Sequence, residues 1–540
     1  MPQRPPLLLF LFLLGAGLLA LATPAALAQN HFIERNYRVR IAVKHEVTGL
    51  AIQGSGAYQV VSSANRPLCN LQPGEPYFIQ ITRGRPSDKT YRLVLHELND
   101  HQVQFAIDQA KAAKDTYQMP VKVLRIPAPN PEDTRVLVTL GEFTTLAAAR
   151  EATSKFQSES IRYVYEDRGR AKGGQVRLMG RDGSILASDE KFLRVSPADI
   201  DDDALAVCEL KAGEFSPGAL RESRVYRGDM ELTINEEGTL TAVNDLWIEY
   251  YLYSVVAQEI GTDAPLEAMK AQAVAGRSEA VAKIQKGIVS GSFFDFFATA
   301  MCQAYPGKGR ETAKTRQAVD ATRGEILVCN SEPVDAVYSN CCGGVVATGQ
   351  DLWDGEPEPY FFREVDRLDK NTPPDLSNWN AAYQWAATDV DVLCNPDQPG
   401  FPNYAKKYHH WEKEYSGAEF SRLADRMYGT GPVRDLVVQR RTPSGRVRKL
   451  QIVGENKTVT VHREMELREA LGDLYSTFFS FVKEYDKGGR LSRLTIHGAG
   501  FGHGVGMCQM GAYMMALHGY NYRQILAHYY KDVKIRRLYR

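Results

Sequence analysis

Residues 251–281 read YLYSVVAQEIGTDAPLEAMKAQAVAGRSEAV, and two helices are legible in and around them. Asn244-Asp245 offers a cap for a first helix from Leu246 to Ile260, with Gly261 as its stop. Leu252, Val255 and Val256 recur at helical spacing as its apolar stripe, and the next position on that stripe is Glu259. A carboxylate among aliphatic side chains costs free energy unless it is paired or protonated. Desolvation should lift Glu259 toward a pKa of about 6–7, the range of a general acid working at neutral pH. The plain alternative is a partly exposed Glu at a helix end. A second helix follows, capped by Asp263, with Pro265 in its first turn where the missing N–H costs nothing. Its stripe is Leu266, Met269, Ala273, Ala280 and Ile284, and it carries Arg277 in the middle. A buried Glu259–Arg277 pair is the natural expectation, with an arginine that snorkels out to solvent as the alternative. Such a pair would pull the Glu259 pKa down, against an acid role, so contact distance matters.

Outward from this stretch the chain is mixed α+β. Short strands run from Tyr37 to Thr82: Arg38 to Val43 alternates with period two, and Tyr58 to Val61 follows a Gly-Ser-Gly turn. From Tyr91 the order becomes strand (Tyr91–Leu95), helix (Val103–Tyr117, with Ala106, Ala110 and Ala113 on one stripe), strand (Val121–Ile126), strand (Arg135–Leu140), helix (Thr145–Phe156) and strand (Ile161–Tyr165). That is a split βαβ unit. Strand-like sequence resumes from Arg224 to Val243, with Gly228 and Gly238 as turns.

The 540 residues leave room for about three domains. Lys+Arg and Asp+Glu each number 65, so there is no chain-wide basic field for nucleic acid and no highly charged disordered chain. Arg4 and the apolar run Leu7 to Ala22, followed by Pro24 and Ala26-Leu27-Ala28, read as a secretory signal peptide with Gln29 as the first mature residue. An uncleaved anchor is the competing reading. Later apolar runs are too short to span a bilayer, so no membrane partner is expected after cleavage. Export puts the eight cysteines in an oxidising compartment. Disulfides are expected among Cys69, Cys208, Cys302, Cys341, Cys342 and Cys394, while Cys329 and Cys508 read equally well as buried thiols. A Cys69–Cys208 bridge would join two halves of one interrupted β-domain, and adjacent Cys341 and Cys342 are expected to face different partners, with Cys302 and Cys394 as candidates. The chain lacks paired C-x-x-C knuckles, so no metal site is assigned and no cofactor is expected.

Gly498, Gly500, Gly502, Gly504 and Gly506 alternate, which strips side chains from one face and lets a ligand or another strand approach the backbone. His503 and Gln509 beside them offer hydrogen bonds to a polar ligand, although a satisfied structural histidine is an equal reading of His503. Ser339 to Gly344 is a second Gly-bearing turn, and Trp353 presents an indole suited to a ligand face or to a core. Asn521 and Gln524 form a capping box for the last helix.

Four ordered blocks resemble the SpoIID/LytB family: residues 251–281, CQAYPG (Cys302 to Gly307), AVYSNCCGGVVATGQDLWDGEPEPYFFREVD (Ala336 to Asp366), and GAGFGHGVGMCQMGAYMMALHGYNYRQILAHYY (Gly498 to Tyr530). The stretch VLVTLGEFTTLAAAREATSKF (Val136 to Phe156) resembles a SPOR domain, a module that binds glycan strands stripped of stem peptides. Together they imply a signal peptide (1–28), an N-terminal β-rich segment (29–85), a SPOR-like peptidoglycan-binding domain (86–170), a second β-rich segment (171–243) and a SpoIID catalytic domain (244–540). The resemblance implies an exported protein of the periplasm or cell wall that binds denuded peptidoglycan and cuts it as a lytic transglycosylase, with Glu259 as its acid. Gln272, Arg277, Ser339, Gly343, Gly344, Trp353, Gly502, His503, Gly504 and Gln509 are expected around the substrate. The rival reading is a non-catalytic wall-binding scaffold or amidase enhancer with a cell-wall amidase as partner. Two departures stand out. Glu279 replaces a frequent aromatic, and the Cys/His cluster through which some members bind zinc retains only Cys302, so zinc there is doubtful.

Overall fold

The computed structural model describes residues 37–539 apart from 86–88, 100–102, 127–134, 154–160, 162, 169–172, 210–222, 236, 287–293, 300–301, 354–356, 370–371 and 389. The expected signal peptide lies outside the described residues.

The α+β expectation holds. The N-terminal region packs two sheets around one core. One has seven strands in the order Phe296–Phe297, Arg38–Val47, Leu240–Trp247, Asp229–Ile234, Phe192–Pro197, Tyr58–Ser62, Pro67–Leu71. The other has six, in the order Ile185–Asp189, Gly173–Met179, Pro76–Arg85, Gly49–Gly54, Leu205–Glu209, Arg224–Tyr226. Strand alternation pays off as expected: Val39 and Ile41 are fully buried between more exposed arginines. Gly228 and Gly238 make the turns with left-handed backbones (φ 84° and 76°), a conformation glycine adopts without strain.

Strands Pro76–Arg85 and Gly173–Met179 pair antiparallel, and from the open end of that pair a separate unit extends. Its four strands run in the order Val121–Ile126, Arg135–Phe143, Lys89–Asn99, Tyr163–Arg168, all antiparallel. Helices Val103–Tyr117 and Leu146–Thr153 cover it, and Ala106, Ala113, Ala149 and Ala152 close a core of its own with Leu93, Val136 and Val138. The small alanine faces are what let two helices sit close on so short a sheet.

The cap expected at Asn244-Asp245 does not form. Both residues belong to strand Leu240–Trp247, and the helix is Ile248–Glu259, entered from Trp247 without a side-chain cap. The reason is tertiary: Asp245 is drawn into an ion pair with Arg38 at 2.6 Å, while the Asn244 amide donates to the Arg227 and Asp229 carbonyls at 2.8 and 3.0 Å. Leu252, Val255 and Val256 are fully buried as the stripe demands. The next helix, Leu266–Lys286, is buried on nearly every side and passes through the middle of the molecule. Its alanines, glycine and serine permit that close approach, so polar residues off the expected stripe are enclosed as well.

Residues 410–499 form another unit, with strands His410–Ser416, Leu491–Ala499 and Phe479–Tyr485 in one sheet and Val433–Arg441, Val447–Gly454 and Thr458–Val461 in a second. Phe420, Leu436, Leu450, Phe479 and Leu494 give it a separate core. Among the described residues, no helix is long and apolar enough to cross a membrane.

Candidate active site

Glu259 is the last residue of its helix, where the chain must turn. One carboxylate oxygen accepts the Ala304 backbone N–H at 2.9 Å, and Gln509 contributes a side-chain hydrogen bond. The residue retains partial exposure although protein surrounds its carboxyl group. Burial raises its pKa to about 7; the charge of nearby Glu279 adds to the rise, while the Ala304 and Gln509 bonds and Lys283 oppose it. The enclosed, pKa-raising environment expected from the stripe is therefore present around this carboxyl group.

Each of the four sequence blocks supplies a neighbour. The first gives Glu259 itself and Gln272, whose side-chain oxygen accepts from Gln509 Nε2 at 3.1 Å. Gln272 is fully buried and Gln509 nearly so, so this amide pair is a fixed shelf rather than a flexible contact. The second block gives the Ala304 N–H and Gln303. Gln303 accepts from the Tyr251 hydroxyl at 2.8 Å and donates to Glu279 Oε2 at 2.7 Å. The third gives Tyr338, whose ring hydroxyl feels both Glu259 and Glu279 and has no hydrogen-bond partner among the described residues. The fourth gives Gln509.

Below Glu259, Glu279 is ion-paired with Lys283, one turn further along the same helix, and Lys283 also donates to the Cys302 carbonyl at 3.2 Å. Removing the Gln509 hydrogen bond removes a group that favours the charged form of Glu259. Gln509→Leu should thus raise the Glu259 pKa by about half to one pH unit. A carboxyl titration followed by 13C NMR checks this.

Several expected contacts are placed otherwise. Arg277 does not reach Glu259. It is bidentate to Glu249, at 2.7 and 3.2 Å, both residues being essentially fully buried. Glu249 and Glu259 stand at opposite ends of one helix, about 15 Å apart along its axis. Glu249 also accepts from the Gly324 N–H at 3.0 Å and the Tyr539 hydroxyl at 2.5 Å. Arg277 is a core strut, not a substrate contact.

His503 is the structural histidine. Its Nδ1 accepts the Val505 N–H at 3.0 Å, the ring donates to the Tyr338 backbone, and burial followed by the Arg446 charge lowers its pKa to about 3. Both ring nitrogens are occupied. Ser339 Oγ accepts the Gly504 N–H at 3.0 Å, tying the two Gly-bearing loops together. Trp353 packs on the His503 ring, centroids 5.3 Å apart.

The alternating glycines do not make an open strand face. Gly500, Gly502, Gly504 and Gly506 all have left-handed backbones, with φ between 68° and 95°. Their bare faces are filled by protein: a Cβ on Gly504 would lie 1.8 Å from Arg446 Nη2, and one on Gly502 would lie 2.9 Å from Ser339 Cβ. Gly343 and Gly344 are buried, and the Gly343 carbonyl accepts the Trp385 indole at 2.9 Å. Sequence reading missed Arg446, the buried hub that binds the His503 carbonyl at 2.8 Å and the Cys342 carbonyl at 3.0 Å. It also missed Tyr338, because an aromatic in a β-like run reads as core. Lys283 was legible as the i+4 partner of Glu279. Asp263 and Glu267 supply no second carboxylate at Glu259: Asp263 is exposed, and Glu267 accepts the Tyr522 N–H at 2.8 Å.

None of the expected disulfides is formed; the eight cysteines are free thiols. Cys69 and Cys208 lie on strands of different sheets. Cys341 and Cys342 share neighbours instead of facing apart, and Cys302 stands beside Lys283, away from them. Lys283 places a positive charge near the Cys302 thiol, which disfavours a cation beside it.

One enclosed carboxyl group, held by a backbone N–H and an amide shelf, stands at the meeting of four sequence blocks. The chain belongs to the SpoIID/LytB family. The family model described as "Stage II sporulation protein" matches residues 236–329, which contain Glu259 and the Ala304 block, and a model described as a domain of unknown function matches residues 347–506. An uncharacterized protein of Brachyspira hyodysenteriae is 31% identical over 311 residues, 57% of this chain and 72% of that protein. Stage II sporulation protein D of Bacillus subtilis is 27% identical over 310 residues, 54% of this chain and 76% of its own. The amidase enhancer of Bacillus subtilis is 26% identical over 300 residues, 52% of this chain and 39% of its own. This kinship gives the chain a cell-wall-related role.

Proposed function

We propose that the protein is an exported peptidoglycan lytic transglycosylase with Glu259 as its single acid and base. The observation carrying this reading is the place of the Glu259 carboxyl group, at the end of its helix where all four family blocks meet and enclosed so that its pKa rises to about 7. Glu259 gives its proton to the glycosidic oxygen between N-acetylmuramic acid and N-acetylglucosamine as the bond from that oxygen to muramyl C1 breaks. The muramyl C6 hydroxyl then attacks C1, and its proton returns to the Glu259 carboxylate. A 1,6-anhydro ring forms, water does not enter, and the enzyme ends as it began. One carboxyl suffices because attack is intramolecular; hydrolysis would call for a second carboxylate across the bond. The Ala304 N–H and the Gln509 side chain hold the Glu259 carboxyl group and stabilise the charge left after proton transfer. The unpartnered Tyr338 hydroxyl is a ready donor to the same substrate.

The split βαβ unit on residues 89–168 is read as the SPOR-like module. Its element order and alanine-faced helices support that reading, and binding of denuded strands would raise their local concentration at Glu259 by tethering. A second reading, a scaffold that enhances an amidase with no cleavage of its own, is favoured by the kinship to the amidase enhancer. Incubating the protein with amidase-treated sacculi and analysing soluble products by mass spectrometry separates the two. Anhydromuramyl ends are expected; co-sedimentation with sacculi but no such ends would select the scaffold.

A further inference from the structure

Four cysteines from distant parts of the chain meet in the interior. Cys341 and Cys342 follow Ser339, Cys394 follows the helix Trp379–Ala387, and Cys508 caps the helix Gln509–Leu517, all of them at most 1% exposed. The Sγ atoms of Cys342, Cys394 and Cys508 and an oxygen of Asp366 all lie within 4.8 Å of one another. Cys341 Sγ, Cys394 Sγ and a His409 ring nitrogen form an overlapping group of three within the same distance of one another. Cys341 and Cys342 are each side-chain neighbours of both Cys394 and Cys508. From this geometry we infer that Cys341, Cys342, Cys394 and Cys508 are the four thiolate ligands of one structural zinc ion, a clamp that fixes the Ser339 turn and the Gln509 helix beside Glu259.

The spacing fits a metal better than bridges. Cys342 Sγ and Cys394 Sγ are 3.8 Å apart. A disulfide brings sulfurs to about 2.0 Å. Four sulfurs at about 2.3 Å from a central zinc are about 3.8 Å from one another. The surroundings are those of thiolates. Cys508 Sγ accepts the backbone N–H of Cys342 at 3.3 Å and of Gly511 at 3.4 Å, donors that stabilise negative sulfur. Cys342 Sγ lies 3.3 Å from Asp366 Oδ2, to which a thiol would donate; a thiolate there needs a cation beside the pair. Tyr529, at 2.9 Å, and His528, at 3.4 Å, hold the other Asp366 oxygen as an outer layer would. Arg446 is buried with its hydrogen bonds on carbonyl oxygens, one of them Cys342, and so offsets the net negative charge of a zinc tetrathiolate.

The usual sequence signature is absent because the ligands are not paired as C-x-x-C. Adjacent cysteines reach one ion here because Gly343 and Gly344, with φ of 71° and 90°, coil the chain immediately after them. Cys69, Cys208, Cys302 and Cys329 take no part.

The test is metal analysis of the full chain produced with zinc in the medium. One zinc per chain is expected by elemental mass spectrometry, together with an intact mass showing no loss of hydrogens. The zinc should be released by a mercurial that titrates four thiols. Replacing it with Co(II) should give sulfur-to-cobalt charge-transfer absorption and tetrahedral ligand-field bands, a readout that needs no variant to fold. Cys394→Ser should lose the metal, while Cys329→Ser should keep it. A metal-free chain lighter by four hydrogens, with these cysteines cross-linked in peptide maps, overturns the proposal. So does a chain whose four thiols stay free and which takes up neither zinc nor cobalt. Neither result bears on the product assay at Glu259, so the two readings fail separately.

Discussion

Glu259→Gln is expected to abolish anhydromuramyl product, by at least ~1000-fold, while the folded protein becomes more stable above neutral pH. The loss follows from the chemistry: an amide cannot deliver the proton or take it back. The gain follows from linkage. The folded-state pKa of Glu259 is about 7, against an ordinary 4.5. Between those values the folded chain keeps a proton that the unfolded chain has lost, so the contribution of this group to stability falls as pH rises through that window. At pH 8 the charged carboxylate is held at a cost of about 3 kcal/mol at most, and partial exposure reduces this to about 1–2 kcal/mol. Glutamine keeps the shape and removes the charge. Thermal melts at pH 5 and pH 8 should show a Glu259→Gln advantage of a few degrees that grows with pH. An inactive variant of lowered Tm at pH 8 would speak against an enclosed acid. Unimpaired product formation would remove Glu259 from the mechanism.

The second large effect lies away from the chemistry. Arg277→Ala should cost about 3–5 kcal/mol, because it leaves Glu249 buried with no guanidinium opposite. Glu249 is an ordinary ion-pair carboxylate: burial works to raise its pKa, but the Arg277 charge and the bonds from Arg277, Tyr539 and Gly324 win and hold it below 4.5. A depressed carboxyl contributes stability above its unfolded value and loses it as pH falls through the folded one, so this strut weakens only in acid. The Arg277→Met, Glu249→Met double variant should recover much of the loss, since apolar side chains of similar volume fill the site without a charge. Chemical denaturation of the three variants measures it. If Arg277 acted on substrate, the double variant would be stable but inactive; here it should retain its turnover.

Much of the site was legible because its logic is local. A Glu on an apolar helical stripe is a one-dimensional pattern, and the environment it implied, dry and pKa-raising, is the one the fold builds. The β-α-β-β-α-β order was readable for the same reason, since strand and helix periods differ and the alanine stripe is distinctive. The Arg277 pairing was not readable. Periodicity says that a side chain points inward, but not which of two inward carboxylates meets it. Glu249, three residues before Leu252 and seven before Val256, stands at the edge of the same stripe, and the helix is enclosed around most of its girth. The glycine run misled similarly: its alternation suggested a flat face, whereas four left-handed residues coil it around Arg446, nearly sixty positions away in sequence.

The sequence by itself determined which helix carries a carboxyl group on its apolar stripe and the α+β class, because each rests on neighbours within a few turns of chain, and it determined the family, because four blocks keep their order along the chain. Only the tertiary structure decided what surrounds that carboxyl group. It put Gln272 and Gln509 into one amide shelf across 237 positions, set His503 to bracing loops instead of sugars, and brought four scattered cysteines to one point. Burial, charge and hydrogen-bond satisfaction act through space, and long-range contact is the one thing a pattern along the chain does not encode.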